Sequence, residues 1–388
     1  MNTELCSSFG SCASCVLGST YKSQKELKIA RTKELFSGIW QACGFNGECC
    51  FFETNESGFR SRAEFRLWHD ESGVHYAMSG ADKKPVIIEA CAIVDAKISA
   101  LMPRILEKIN RNSSLKERIF GCEFVASSDE VLAILLYHKD IESIKAELEN
   151  LANELKISLI ARSKGKKLVF GSEILSQKIT VNSKTLSYKI SPDGFIQPNA
   201  SANEKMLNFV YSKLASHNKK DLCELYCGHG NFSVALAPLF RKVLATEINK
   251  ASTALAKQNA EQNGVKNLEF ARLSADEFAK ALRAEREFKR LKHLELSSYD
   301  FSHILVDPPR AGCDESVLNL MMEFQNIIYI SCSQASLRRD LEVLTKTHKI
   351  TDFALFDQFA HTNHIESIVL LKKNEIFSLE ILEFLFKC

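Results

Sequence analysis

"DLCELYCGHGNFS", residues 221–233, carries an apolar, strand-forming run into a turn with two glycines and then into a helix-forming stretch. That unit, strand to glycine turn to helix, is the one from which doubly wound α/β sheets are built. Gly228 and Gly230 let backbone approach a ligand at the turn, with the amino end of the helix pointing at it. Outward from this unit the pattern repeats. Strand-like runs follow at KVLATEI (242–248), NLEFARL (267–273), SHILVDP (302–308), NIIYISC (326–332), ITDFALF (350–356) and HIESIVLLKK (364–373). Helical stretches such as KASTALAKQNAEQNG (250–264), ending at a glycine cap, separate the early ones. Apolar strands alternating with helices imply a mostly parallel sheet covered on both faces. Only a short turn separates the last two runs, so they are expected as an antiparallel hairpin at one edge.

A G-x-G turn alone is weak evidence for a ligand. Glu247 strengthens it, because it ends the next strand, 19 residues after Gly228, where a carboxylate takes both hydroxyls of a ribose. Ser233 stands where a dinucleotide fingerprint places its third glycine, which disfavours NAD and favours S-adenosyl-L-methionine. Seven strands ending in a hairpin suit the Rossmann-like fold of S-adenosylmethionine-dependent methyltransferases. "VDPPRAG" (306–312) leaves the fourth strand with two prolines that stiffen a loop beside the cleft, and Asp307 is a fixed carboxylate there. Arg310 stands where amine methylases have an aromatic; it is either a surface residue or, in the cleft, a cation able to hold phosphate or uracil oxygens.

Composition sets outer bounds. The 388 residues are 45% hydrophobic and 25% charged, enough for more than one buried core. No apolar run approaches the roughly 20 residues of a membrane span, and MNTELCSSFG lacks the pattern of an export signal. A net charge of +2 neither demands nor excludes a nucleic-acid partner. Thirteen cysteines without an export signal are read as reduced cytoplasmic thiols. The first half reads as α+β: helices at 20–40, 92–110 and 140–155, and alternating strands at FRSRAEFRLWHD, VHYAMSG and VLAILLYHK. SPDGFIQPNA (191–200) is the expected junction, giving an α+β RNA-binding domain over 1–190 and a methyltransferase domain over 191–388.

Several motifs occur in one order: Arg62-Ala63-Glu64-Phe65-Arg66-x-Trp68-His69-Asp70, Leu136-Tyr137-His138-Lys139, Phe195-Ile196-Gln197-Pro198-Asn199, Glu224-Leu225-Tyr226-Cys227-Gly228-x-Gly230-Asn231-Phe232, Asp307-Pro308-Pro309-Arg310, Ser331-Cys332 and His364-Ile365-Glu366. With LATEI (244–248) and ALFDQF (354–359), the set resembles the RNA 5-methyluridine methyltransferases over nearly the whole chain. Within them it is most similar to the tRNA (uracil-5-)-methyltransferases, which act on the uridine at position 54 of the T-loop. The resemblance implies Cys332 as nucleophile and Glu366 as general base. It also implies Gln197, Tyr226, Asn231, Glu247 and Asp307 as the S-adenosylmethionine site. The chemistry requires such a pair: a thiolate adding to C6 of uracil makes C5 nucleophilic, and a base must then remove the C5 proton. Where the family continues Ser-Cys-Asn-Pro, this chain has Ser331-Cys332-Ser333-Gln334. Cys227 and Cys313 are rival thiols, the first within the glycine turn and the second six residues past Asp307.

RNA contact is expected from Arg60, Arg62, Glu64 and Arg66 on one face of a strand, with Phe65 on the other as an aromatic able to stack a base. A solvated charged strand is the plainer alternative. Cys6, Cys12 and Cys15, with Cys91 downstream, resemble the iron–sulfur segment of the related ribosomal RNA enzymes, implying a [4Fe-4S] cluster; zinc or idle thiols are the alternatives. The same likeness makes ribosomal RNA the alternative substrate to tRNA. A tRNA-folding RNA-binding protein without catalysis would leave the strand-end residues unexplained. No obligate protein partner and no membrane association is expected.

Overall fold

The computed structural model describes residues 6–46, 48–215, 220–292 and 294–374. Its larger sheet runs Cys50–Phe52, His348–Phe356, Glu366–Lys373, Asn326–Ser331, Phe301–Val306, Asp221–Leu225, Val243–Thr246 and Leu268–Ala271 from edge to edge. The seven expected strands are all present. The central ones are buried along their length, as a parallel sheet covered on both faces requires. The final strand runs antiparallel and sits inside the sheet, between Asn326–Ser331 and His348–Phe356. An eighth strand, Cys50–Phe52 from the first half of the chain, pairs parallel with His348–Phe356 and covers that edge. Phe52 stacks on Phe356 with ring centres 4.5 Å apart.

The helix Tyr21–Ala42 begins at an N-cap, where the Thr20 hydroxyl accepts from Ser23 N. Its inward side chains are Gln24, Lys28, Thr32, Phe36 and Ile39. The spacing is that of one helical face, but the first three turns of that face are polar. Phe36 meets Phe353 and Trp40, which fastens the apolar end to the larger sheet.

A second sheet has the order Pro85–Ile87, Gly73–Ser79, Arg62–Asp70, Ile119–Ala126, Val131–Tyr137, Ser158–Ser163 and Lys166–Phe170. The helices Ala96–Arg111 and Lys145–Leu155 bury their apolar stripes on one face of it. Lys145–Leu155 is the crossover between the parallel strands Val131–Tyr137 and Ser158–Ser163. On the opposite face, Val125, Leu132, Ile134 and Ile160 join a core that continues through the hairpin Leu175–Val181/Lys184–Ile190 and the helix Ala200–Leu214. That core reaches Phe232 and Phe356 of the larger sheet. The segment 191–200 is tied down where it passes the second sheet: Ser61 N donates to Pro198 O (2.8 Å) and Arg62 to the carbonyls of Pro192 and Gly194. Among the described residues, no helix is long and apolar enough to cross a membrane.

Candidate active site

Two carboxyl-terminal strand ends and the start of an antiparallel strand bring the candidate groups together. Asn326–Ser331 pairs antiparallel with Glu366–Lys373, Ser331 opposite Ser367, so Cys332 leaves its strand beside Glu366. Phe301–Val306 runs parallel on the other side of Asn326–Ser331 and delivers Asp307 to the same rim. The three side chains feel one another. Burial, and then the charges of Glu366 and Asp307, push the half-buried Cys332 thiol up, while Arg310 pulls it down. Burial and the neighbouring Asp307 hold Glu366, 3% exposed, well above the ordinary carboxylate range, again opposed by Arg310. Burial alone brings the Asp307 carboxyl up to about 7. The Cys332 turn is locally braced, because the Ser331 hydroxyl donates to Ser333 O (3.0 Å) and accepts from Ser333 N (3.2 Å). Of the rival thiols, Cys227 is buried and held protonated by its surroundings. Cys313, also buried, has its amide on Asp340 (2.9 Å) and its thiol pushed up to about 12.

The glycine turn lies two strands away. Tyr226, Gly228 and Gly230 all have positive φ (62°, 56° and 83°), a conformation only glycine adopts without strain. A Cβ on Gly228 would meet nothing within 4 Å, so the turn opens onto free space there. The Glu247 carboxylate accepts from Gly228 N (3.0 Å) and Asn249 N (2.7 Å), which fixes it against the turn. Gln197 donates to Asp307 (3.4 Å) and accepts from Gln358 (2.6 Å), linking the junction segment to the strand end. Asn231 is buried and exchanges amide hydrogen bonds with Asn203 (2.9 and 2.8 Å), so its side chain is already committed to protein partners.

A cavity of about 680 Å³ adjoins the strand ends. Arg310 and His364 line it on the larger-sheet side, Arg60, Arg62, Glu64 and Phe65 on the side of the second sheet. The alternation expected for the strand is present: Glu64 and Arg66 point outward, Ala63 and Phe65 inward. Phe65 packs on Tyr76 (5.3 Å) and Phe124 (6.3 Å) in the core, and the Arg60 guanidinium lies over the Phe359 ring (5.7 Å). A feature the sequence reading missed is the parallel stack of Phe120 on His138, 3.9 Å between ring centres and 12° between planes. It sits in a groove lined by Arg118, Lys139, Arg162, Lys164 and Lys166. Phe120 is 38% exposed, so a stacked pair of rings is open to solvent among cations. The motif Leu136-Tyr137-His138-Lys139 was the available signal; its partner lies on the neighbouring strand.

Cys6, Cys12, Cys15 and Cys91 all line the cavity. The structure lends the iron–sulfur expectation no support: among the described residues, no group of three or more His, Cys, Asp or Glu side chains is arranged to hold a metal ion. Burial pushes the Cys15 thiol up to about 12, and the other three cysteines add to it. Cys6, Cys15 and Cys91 pack with Phe59 and Ile93 in a small apolar cluster, and Cys12 packs against the core of the second sheet. Cys12 also pairs with Gly80 at the second sheet, and Val16 and Leu17 donate to His361 O of the larger one, so segment 6–17 straps the two together.

Comparison with known proteins agrees with this geometry. Residues 20–374 match the family model described as tRNA (Uracil-5-)-methyltransferase. A tRNA/tmRNA (uracil-C(5))-methyltransferase of Campylobacter hominis is 46% identical over 368 residues, covering 95% of this chain and 99% of its own length. One of the same name from Aliarcobacter butzleri is 42% identical over 376 residues, with the same coverage of both chains. The crystal structure of Pyrococcus abyssi tRNA (uracil-54, C5)-methyltransferase, in complex with S-adenosyl-L-homocysteine, superposes with a TM-score of 0.68 at 21% identity, over 91% of this chain and 83% of that one, and so shares the fold. Motifs, fold and relatives agree, and the chain belongs to the tRNA (uracil-5-)-methyltransferase family.

Proposed function

We propose that this protein transfers the methyl group of S-adenosyl-L-methionine to C5 of the T-loop uridine at position 54 of tRNA, and to the corresponding uridine of tmRNA, through a covalent adduct with Cys332. The observation that carries this reading is the meeting of Cys332, Glu366 and Asp307 at one rim of the sheet, beside a cavity walled by both sheets. The names of the relatives support the substrate class, and the match to them over nearly their full length supports the activity.

The residues fit the cofactor. The open turn at Gly228 leaves room for it, and the Glu247 carboxylate keeps lone pairs for ribose hydroxyls beyond its two backbone contacts. Gln197, Tyr226 and Asp307 would complete the site, with Asn231 holding the helix behind the turn through Asn203. When bound, S-adenosylmethionine supplies an electrophilic methyl group. Cys332 as thiolate adds to C6, and the C5–C6 π electrons move into the ring to give an enolate. C5 then takes the methyl, the methyl–sulfur bond breaking with its electron pair kept by the sulfur of the departing thioether. Glu366 removes the C5 proton, the electron pair re-forms the C5–C6 bond, and the sulfur leaves as thiolate. A carboxylate with raised proton affinity suits that step. Arg310 opposes the charge of Asp307 and Glu366 and so favours the thiolate.

A base in a folded RNA reaches Cys332 only if it leaves its stack, and the cavity has room for it. Arg60, Arg62, Glu64 and Arg66, with the Phe120–His138 groove, would hold the surrounding RNA. The protein is assigned to the cytoplasm, where its substrates are and where unpaired thiols persist. The test is incubation with labelled S-adenosylmethionine and separate tRNA, tmRNA and ribosomal RNA, followed by mapping of the methylated base. Label on the T-loop uridine of tRNA is expected. Label confined to ribosomal RNA would overturn the assignment.

A further inference from the structure

The helix Tyr21–Ala42 presents Gln24, Lys28 and Thr32 inward at successive i+4 positions, exposed by 0%, 3% and 0%. Buried polar groups need partners. Each of these three finds one on a loop that carries the reactive pair. Gln24 exchanges hydrogen bonds with His361, through Nδ1 (3.1 Å) and the backbone N (2.9 Å). Lys28 donates to Asp357 (2.7 Å) and to Phe359 O (3.1 Å). Residues 357–361 lead from one strand of the final hairpin to the one that opens with Glu366. Thr32 donates to Lys28 O (2.8 Å) and accepts from Gln334 Nε2 (2.6 Å), two residues past Cys332.

Gln334 occupies the position at which the resemblance expects proline. A proline ring stiffens the backbone by fixing φ, but it has no donor to offer Thr32. In this chain Ser333 caps the helix Gln334–Leu344, its hydroxyl accepting from Ser336 N, and the Gln334 side chain is free to cross to the first helix.

We propose that Thr32 and Gln334 form a latch that positions Cys332, replacing the stiffness of proline with a partly buried hydrogen bond to the helix that also holds the Glu366 loop. Nucleophile and base are then aligned against one common support. Neither latch residue touches substrate; both are positioning residues. The proposal rests on the reading of Cys332 as the nucleophile.

The test uses the full chain and tRNA carrying 5-fluorouridine at the target position. Cys332 bonds to C6 and C5 takes the methyl, but fluorine cannot leave as the proton does, so the adduct accumulates. Its rate is measured at saturating RNA, alongside the dissociation constants for RNA and cofactor. Thr32→Val and Gln334→Leu are each expected to slow adduct formation about tenfold or more, as misplaced reacting groups do. Both dissociation constants should stay within about twofold. Thr32→Ser keeps the hydroxyl and should keep the rate. The double variant should be no slower than the slower single one, because both remove the same contact. An unchanged rate in Gln334→Leu, a half-buried position that tolerates the change even if Thr32→Val fails to fold, would overturn the latch, as would losses that multiply in the double variant. Cys332→Ala is run in parallel. Adduct formed by it would sink the nucleophile reading itself, whereas no adduct there with a normal rate in Gln334→Leu would sink the latch alone.

Discussion

At Cys332 and Glu366 the same physical cause acts twice. Desolvation and a nearby carboxylate raise the proton affinity of both, yet each must lose its proton to work. kcat/KM should therefore climb with pH and still be rising at the ordinary thiol pKa of about 8.5, following thiolate formation. Asp307→Asn removes a like charge from both groups and should move the ascending limb to lower pH, whatever it does to cofactor affinity. A limb that stays in place would show that Asp307 does not act on the pair. Glu224, 1% exposed in the strand before the glycine turn, offers a separate check on stability. Burial raises its carboxyl from 4.5 to about 8, so the folded state keeps a proton that the unfolded state releases. This contribution is full below the unfolded pKa and is lost as pH rises through the folded one, at up to about 1.4 kcal/mol per pH unit between them. Urea melts of Glu224→Gln should lack this decline. The pair itself was legible in sequence because strand, cysteine and HIE motif are local patterns. The commitment of Asn231 to Asn203 and of Phe65 to the core was not, since both depend on partners in other elements.

Among the elements, the first helix departs furthest from its sequence reading. Its sequence predicts an amphipathic helix; the helix is present but a continuous apolar face is not, since Gln24, Lys28 and Thr32 lie on the side that turns inward. Hydrophobic patterning cannot anticipate this, because the partner of Lys28 is Asp357, 329 residues away. Both charges are buried, 2% and 0% exposed at the side chain. Removing one leaves the other stranded, so Lys28→Met should cost about 3–5 kcal/mol in denaturant unfolding. Adding Asp357→Asn should recover much of it, and a Lys28→Met protein of normal stability would contradict the pairing. The short strand Cys50–Phe52 was equally illegible: three residues carry no periodicity, and only its neighbour on the sheet edge defines it. The Phe120–His138 stack joins two strands of the second sheet. Phe120→Ala should weaken tRNA binding by about 1–3 kcal/mol and leave cofactor binding unchanged in calorimetry. Equal tRNA affinity would place the RNA elsewhere.

Over the whole molecule, the proposed function divides between two sheets. One would align cofactor and reactive side chains at its rim, the other carries cations and an exposed stacked ring, and a shared core joins them. The doubly wound half was readable because each strand–helix unit repeats a pattern within a few dozen residues. The way segment 6–17 straps the two sheets, and the first helix clamps the loops of the larger one, was not, since that depends on contacts spanning the full chain. The central claim concerns the order of events at the rim: sulfur attack first, methyl transfer second, proton removal last. It is tested most directly by mass measurement of the protein–RNA species formed with labelled S-adenosylmethionine in Glu366→Gln and in Cys332→Ala. The account predicts that Glu366→Gln accumulates a denaturant-resistant complex whose uracil already carries the labelled methyl group, because an amide cannot take the C5 proton. It predicts neither complex nor methylated RNA from Cys332→Ala. Methylated RNA produced at the normal rate by Cys332→Ala would contradict it.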